Sequence, residues 1–127
     1  MDELERWNKV KQSVDKKTGD VFFKEREIWW TSLGQNIGHE ENGKNEHFER
    51  PAIILKRLDK NLFLGIPLTS KNRNQYYKFL VGHNGSISQY AIWTQIRVLS
   101  TKRLIRKESV VSKEYFMQLR AIIKAFL

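Results

Sequence analysis

The Asn84-Gly85 pair constrains this chain most, because it stands between two runs rich in β-forming residues, "QYYKFLV" (75–81) and "ISQYAIWTQIRVL" (87–99). Asn-Gly between such runs is the strongest short-range hairpin signal, since both residues tolerate the left-handed backbone that tight hairpin turns need. The second run is too long for one flat strand, so a bend or bulge is expected near Ser88 to Ala91. The same texture precedes the hairpin. "EIWWTSL" (27–33), "AIILK" (52–56) and "LFLGIPLTS" (62–70) read as strands, with "LDKN" (58–61) as a tight turn between the last two.

Helical periodicity is confined to the two ends. Leu4, Trp7, Val10 and Val14 recur at helical spacing, giving an amphipathic helix over about residues 2–16 that Thr18-Gly19-Asp20 stops. At the other end Ser112 is a good N-cap and Glu114 suits the first turn. Phe116, Leu119, Ile122, Ile123 and Phe126 then share one face. About five strands and one packed helix predict a small curled barrel, with residues 1–20 as a helical extension and 21–127 as the domain. At 127 residues one core suffices.

Within the barrel the segment "ERPAIILK" (49–56) is unusual. Pro51 lacks a backbone donor, which suits a first strand position or an edge, and Ala52 to Leu55 form a short buried run. Arg50 is thereby expected at the rim of the sheet, held by buried neighbours.

Charge narrows the partners. Lys and Arg number 23 against 14 Asp and Glu, a net +9, which suits a polyanionic partner (nucleic acid, an anionic membrane or an acidic protein) and equally a merely soluble basic surface. Cysteine is absent, so disulfides, thiolate nucleophiles and cysteine-based zinc sites are excluded. The N-terminus has no apolar core of the signal-peptide kind and no stretch suits a membrane span, so the expected location is the cytoplasm, with no membrane contact.

Three stretches can carry chemistry. The loop "GQNIGHEENGKNEHFE" (34–49) is long and polar, and such loops are functional or solvated flaps. His39 and His47 share no helical register and no second cluster accompanies them, so no metal or other cofactor is expected. In "GIPLTSK" (65–71), Thr69 and Ser70 end a strand beside Lys71 and Arg73, which suits phosphate contact as well as ordinary turn chemistry. "TQIRVLSTKRLIRK" (94–107) holds five cations and no acid. Interleaved with Tyr76, Tyr77, Tyr90 and Trp93, it fits single-stranded nucleic acid, although any one of these aromatics equally suits a core.

Taken in order, "EIWWTSLGQNIGHE" (27–40), "RPAIIL" (50–55), "IPLTS" (66–70) and "QIRVLSTKRL" (95–104) resemble the MazF/PemK family of toxin–antitoxin endoribonucleases. The resemblance implies an SH3-like curled antiparallel β-barrel with a C-terminal helix, working as a homodimer. It also implies sequence-selective cleavage of single-stranded RNA, including mRNA, without a metal, and inhibition by a cognate antitoxin protein. Any DNA contact is implied only for the complex with that antitoxin.

Carried over position by position, the arginine before the proline and the threonine ending the next strand make Arg50 and Thr69 the catalytic pair. Ser70, Gln95 and Arg97 become substrate-site residues, with Glu40 and His39 on the loop and Lys71 beside the hydroxyls. The implied reaction is attack of a 2′-OH on the adjacent phosphate, leaving a 2′,3′-cyclic phosphate and a 5′-OH. Arg50 suits electrostatic stabilisation, because a guanidinium keeps its proton in a protein. The base is then sought in a water, Thr69, Glu40 or His39. This chain departs from the family pattern in its longer loop before Arg50, its N-terminal helix, and Thr94 where some relatives carry an acid. The runner-up reading is a non-catalytic nucleic-acid grip on the same barrel, and a third is a regulator docking through its N-terminal helix.

Overall fold

The computed structural model describes residues 21–33, 49–71 and 77–127; the N-terminal helix, Glu40 and His39 lie outside these. Among the described residues seven strands, β1 (Glu27–Ser32), β2 (Glu49–Arg57), β3 (Leu62–Thr69), β4 (Lys78–Asn84), β5 (Ile87–Ile92), β6 (Arg97–Ser100) and β7 (Leu104–Val110), precede helix α1 (Lys113–Phe126). All pairings are antiparallel, in the order β4-β5-β3-β2-β1-β7, and β6 also pairs with β3. The result is the curled sheet with a C-terminal helix that the sequence predicts.

β2 is the middle of this sheet, which explains its unbroken apolar run. Ile53 and Leu55 join the core beneath α1, while Ile54 packs on the opposite face with Phe23, Trp29, Phe63, Leu99 and Leu104. A strand buried on both faces has no need of polar alternation. The expectation that Pro51 marks an edge or first position is therefore corrected: it is the third residue of a central strand, opposite Trp30. The missing donor is tolerated because the ladder between β2 and β3 starts one residue later, at Ala52 opposite Pro67.

The hairpin forms at the Asn-Gly signal, shifted by one residue. Asn84 still pairs with Ile87, so Gly85 and Ser86 are the turn residues. Gly85 has φ +65°, and no non-glycine residue of this turn has a positive φ. Glycine first, followed by an ordinary residue, is the pattern of a type II′ turn. A bend or bulge is expected near Ser88 to Ala91; the pairing is irregular there, at Gln89 and Tyr90, with Val81 of β4 as the extra residue, and the chain itself turns slightly later, in a short 3-10 turn at Trp93–Gln95. It lets the chain leave the end of β3, where β5 pairs with Leu68 and Thr69, and rejoin the start of β3 as β6.

α1 begins as predicted: Ser112 Oγ accepts from the Tyr115 N–H (3.2 Å), and Glu114 occupies the first turn. Phe116 and Leu119 are buried, worth about 1.5–3 kcal/mol each. Ile122 and Ile123 pack against the same cluster, and Phe126 meets Trp93 edge-on at 5.0 Å between ring centres. β1 and β7 are tied by Glu27. Its Oε1 accepts from Trp29 Nε1 (3.0 Å) and the Lys24 N–H (2.8 Å), while Oε2 meets Lys107 Nζ at 2.8 Å. Burial raises the carboxyl's pKa, but the hydrogen bonds from Lys107, Trp29 and Lys24 outweigh it and hold the value below the ordinary 4.5.

Candidate functional site

The start of β2 and the end of β3 lie side by side, and their neighbours enclose a cavity of about 240 Å³. Arg50 and Thr69 both line it, together with Ser70. Arg50 is not at an open rim, as the sequence suggests, but almost fully buried, with 1% of its surface exposed. Its Nε donates to the Leu68 carbonyl (3.1 Å), and its own carbonyl accepts from Thr31 Oγ1 (2.7 Å). Burying a cation is costly unless hydrogen bonds satisfy it, and the bond to the Leu68 carbonyl supplies part of that compensation. Thr69 is also buried, and its Oγ1 accepts from the Lys71 N–H at 3.1 Å.

The wall beside Arg50 carries an aromatic ring and a paired acid. Trp30 lines the cavity, and the Arg106 guanidinium stands over its ring, 5.0 Å from the centre. Arg106 Nη1 also meets Glu49 Oε1 at 3.1 Å. Opposite, the β4–β5 hairpin contributes Asn84, Ile87 and Gln89, and β7 contributes Glu108. Gln89 Nε2 donates to Glu108 Oε1 at 2.7 Å. Because β5 and β7 lie toward opposite ends of the sheet, this bond spans the mouth of the curl.

The remaining residues taken from the sequence lie elsewhere or outside the described residues. Lys71 is exposed and follows the pocket hydroxyls without lining the cavity. Gln95 ends the 3-10 turn, and exposed Arg97 pairs with Gly65, four residues before Thr69 on β3 and so about 13 Å along that strand. Neither lines the cavity. Glu40 and His39 fall among the residues not described. Sequence reasoning missed Trp30, Gln89 and Glu108. Glu108 is the one acid within "LIRKESV", and that was the only local hint. Among the described residues no group of three or more His, Cys, Asp or Glu could hold a metal, and no helix is long and apolar enough to cross a membrane.

Fold and site together define a basic, curled antiparallel half-barrel whose central strands present a buried arginine and a threonine in one pocket. Comparison with known families places the chain more closely. Residues 24–127 match the model of the PemK-like, MazF-like toxin of type II toxin–antitoxin systems, and the chain belongs to that family. MazF from Deinococcus radiodurans (form I) superposes with a TM-score of 0.68 at 18% identity, covering 84% of this chain and 97% of that one. The MazE–MazF structure (form II) from the same organism gives 0.64 at 14% identity, covering 84% and 96%. At such identities the likeness concerns the fold. Among curated proteins, sequence comparison finds no significant match.

Proposed function

We propose that this toxin is a metal-independent endoribonuclease that cuts single-stranded RNA at the pocket formed by Arg50 and Thr69. The observation that carries the reading is the convergence of a buried arginine and a threonine hydroxyl in one cavity of a strongly basic protein. In the proposed reaction the 2′-OH attacks the adjacent phosphate and the 5′-oxygen leaves, giving a 2′,3′-cyclic phosphate and a 5′-OH. Charge grows on the phosphoryl oxygens as the bond forms. A rigid guanidinium, whose planar fork matches phosphate, stabilises it with little reorganisation. The Thr69 and Ser70 hydroxyls supply further hydrogen bonds to the same oxygens.

The family and the MazE–MazF structure among the structural neighbours support an antitoxin as the partner that blocks this site, and we include a homodimer in the proposal. The test is incubation of the purified protein with mixed-sequence single-stranded RNA in EDTA, with both product ends mapped. Motif-specific cuts bearing cyclic phosphate and 5′-OH ends are expected. RNA that stays intact, or cutting that EDTA abolishes, overturns the proposal.

One observation favours a second reading, a non-catalytic grip on nucleic acid. Arg97, Lys102, Arg106 and Lys107 are exposed along β6, the turn after it and β7, and none of them lines the cavity. Salt-dependent RNA binding without any product decides for it.

A further inference from the structure

Glu108 has no counterpart on the neighbouring strand. Ile28 pairs with Ser109 and Trp29 with Lys107, so Glu108 is the extra residue of a bulge in β7. A bulge re-aims a side chain out of the strand's alternation, and this one brings Glu108 to the cavity that Arg50 and Thr69 line. Oε1 is held by Gln89, itself 7% exposed, whereas Oε2 is buried with no hydrogen-bond partner among the described residues. An acceptor withdrawn from water without a donor is costly, and a ligand N–H or O–H that reaches it removes that cost.

The chemistry of the ligand follows from the charge. A carboxylate repels phosphate and only accepts hydrogen bonds, so Glu108 must face a donor on the RNA. The apolar part of the cavity lining is Trp30, which carries Arg106 over its ring, with Pro51, Leu68 and Ile87, the last 55% exposed at the hairpin end. Such a lining suits stacking of one base. At 240 Å³ the cavity is smaller than the ~300–1,000 Å³ of typical small-molecule sites, in keeping with one base rather than several nucleotides.

We propose that Glu108, positioned by Gln89, is a specificity-determining residue that reads the amino edge of one base next to the scissile phosphate. Its free oxygen accepts from the exocyclic amino group of adenine, cytosine or guanine. The second Nε2 hydrogen of Gln89 can serve the ring nitrogen acceptor beside the amino group of adenine or cytosine. Uracil has no amino group; its one edge donor, N3–H, lies between two carbonyl oxygens, so a carboxylate accepting from it stands beside an acceptor on either side and Gln89 finds no ring nitrogen acceptor. The proposal rests on the reading of this pocket as an RNA site, and it needs no residue outside those described.

The experiment has two arms. In the first, anisotropy titrations at one fixed salt concentration measure binding of non-cleavable 2′-fluoro oligo(A), oligo(C) and oligo(U) to wild type, Glu108→Gln and Glu108→Ala. Wild type is expected to prefer an amino-bearing oligomer over oligo(U) by about ten- to hundredfold, and both variants to lose most of that preference. In the second arm, cleavage of randomised RNA is end-mapped. Uracil should be depleted at one position beside the cut in wild type and restored there in the variants. Preference without cleavage would overturn the nuclease reading and leave this one standing. Cleavage with the same base pattern in all three proteins overturns the inference. So does a variant that keeps its pattern while losing rate with a flattened acid limb, which would make Glu108 a base toward the 2′-OH. Thermal melting of both variants verifies folding, and Glu108→Ala stands in if Glu108→Gln does not fold.

Discussion

Replacing Arg50 should separate what the residue does for the fold from what it does for the reaction. Arg50→Met keeps the apolar stem and removes the guanidinium. The Leu68 carbonyl then loses its donor, at about 1–3 kcal/mol for a buried group left unpaired. Against this, a cation is no longer held almost fully out of water, a relief on the order of several kcal/mol before the hydrogen bonds it made are counted. The two effects oppose each other, so the net change should stay within about 2 kcal/mol of wild type in either direction. Arg50→Ala loses the donor and also leaves a void where the buried side chain stood, adding about 2–4 kcal/mol. Thermal melts should therefore place alanine well below methionine, by about 3–6 °C per kcal/mol for a domain of this size. Cleavage should respond differently. Both variants should fall by about 10²–10³ or more, because both remove the donor to the developing phosphoryl charge. Arg50→Lys keeps a charge but not the planar fork, and should lie between them and wild type. Methionine cutting RNA at the wild-type rate refutes the electrostatic role. Methionine as unstable as alanine refutes the balance of burial against hydrogen bonding.

Other outcomes follow from particular contacts. Thr69→Val removes the hydroxyl and should lower the cleavage rate by about 10–100-fold, at a stability cost of only about 1 kcal/mol for the acceptor the Lys71 N–H loses, whereas Thr69→Ser should retain most activity. Glu27→Ala strips the acceptor from the Trp29 indole and the Lys24 N–H and should cost about 2–5 kcal/mol in a urea titration; Glu27→Gln keeps an oxygen for them and should cost about 1 kcal/mol. Because the folded carboxyl titrates below 4.5, its charge stabilises the fold above that pH and stops doing so as pH falls through the folded value. The stability gap between wild type and Glu27→Gln should therefore be widest near neutrality and close in acid. Gly65→Ala would place a methyl 2.9 Å from Phe63 Cε2 and 3.0 Å from Leu99 Cδ1, both in the core. It should destabilise by about 1–3 kcal/mol while the folded fraction keeps its cleavage rate.

Much of this architecture is legible where one face or one turn decides it. Ala52 to Leu55 and Gly65 to Thr69 are buried on central strands, and their largely apolar runs say so directly. β7 was not legible, because it is the outer strand of the sheet and mixes Arg106, Lys107 and Glu108 into a stretch that resembles a solvated basic run. Two register shifts against β1 break its period-two pattern as well. The neighbourhood of Arg50 and Thr69 follows from adjacent strands joined by the turn at 58–61, so it can be read along the chain. The meeting of Gln89 with Glu108 cannot. It depends on how far the whole sheet curls, and no local spacing encodes that.

Pro51 and Arg50 are best understood as one device. A central strand normally spends every backbone donor on its neighbours, which leaves no room for a side chain in the ladder. At the start of β2 the proline has no donor to give, and the ladder to β3 begins only at Ala52. The Leu68 carbonyl just beyond that start is taken by Arg50 Nε instead. The guanidinium is thereby fixed by the end of β3, the same strand whose next residue is Thr69. One strand end thus sets the position of both groups, and neither has a flexible tether. A shift of β3 relative to β2 would move both together, so their mutual geometry survives small motions of the sheet. The proposed electrostatic stabilisation depends on that rigidity, because a donor that must reorganise during the reaction loses much of its effect.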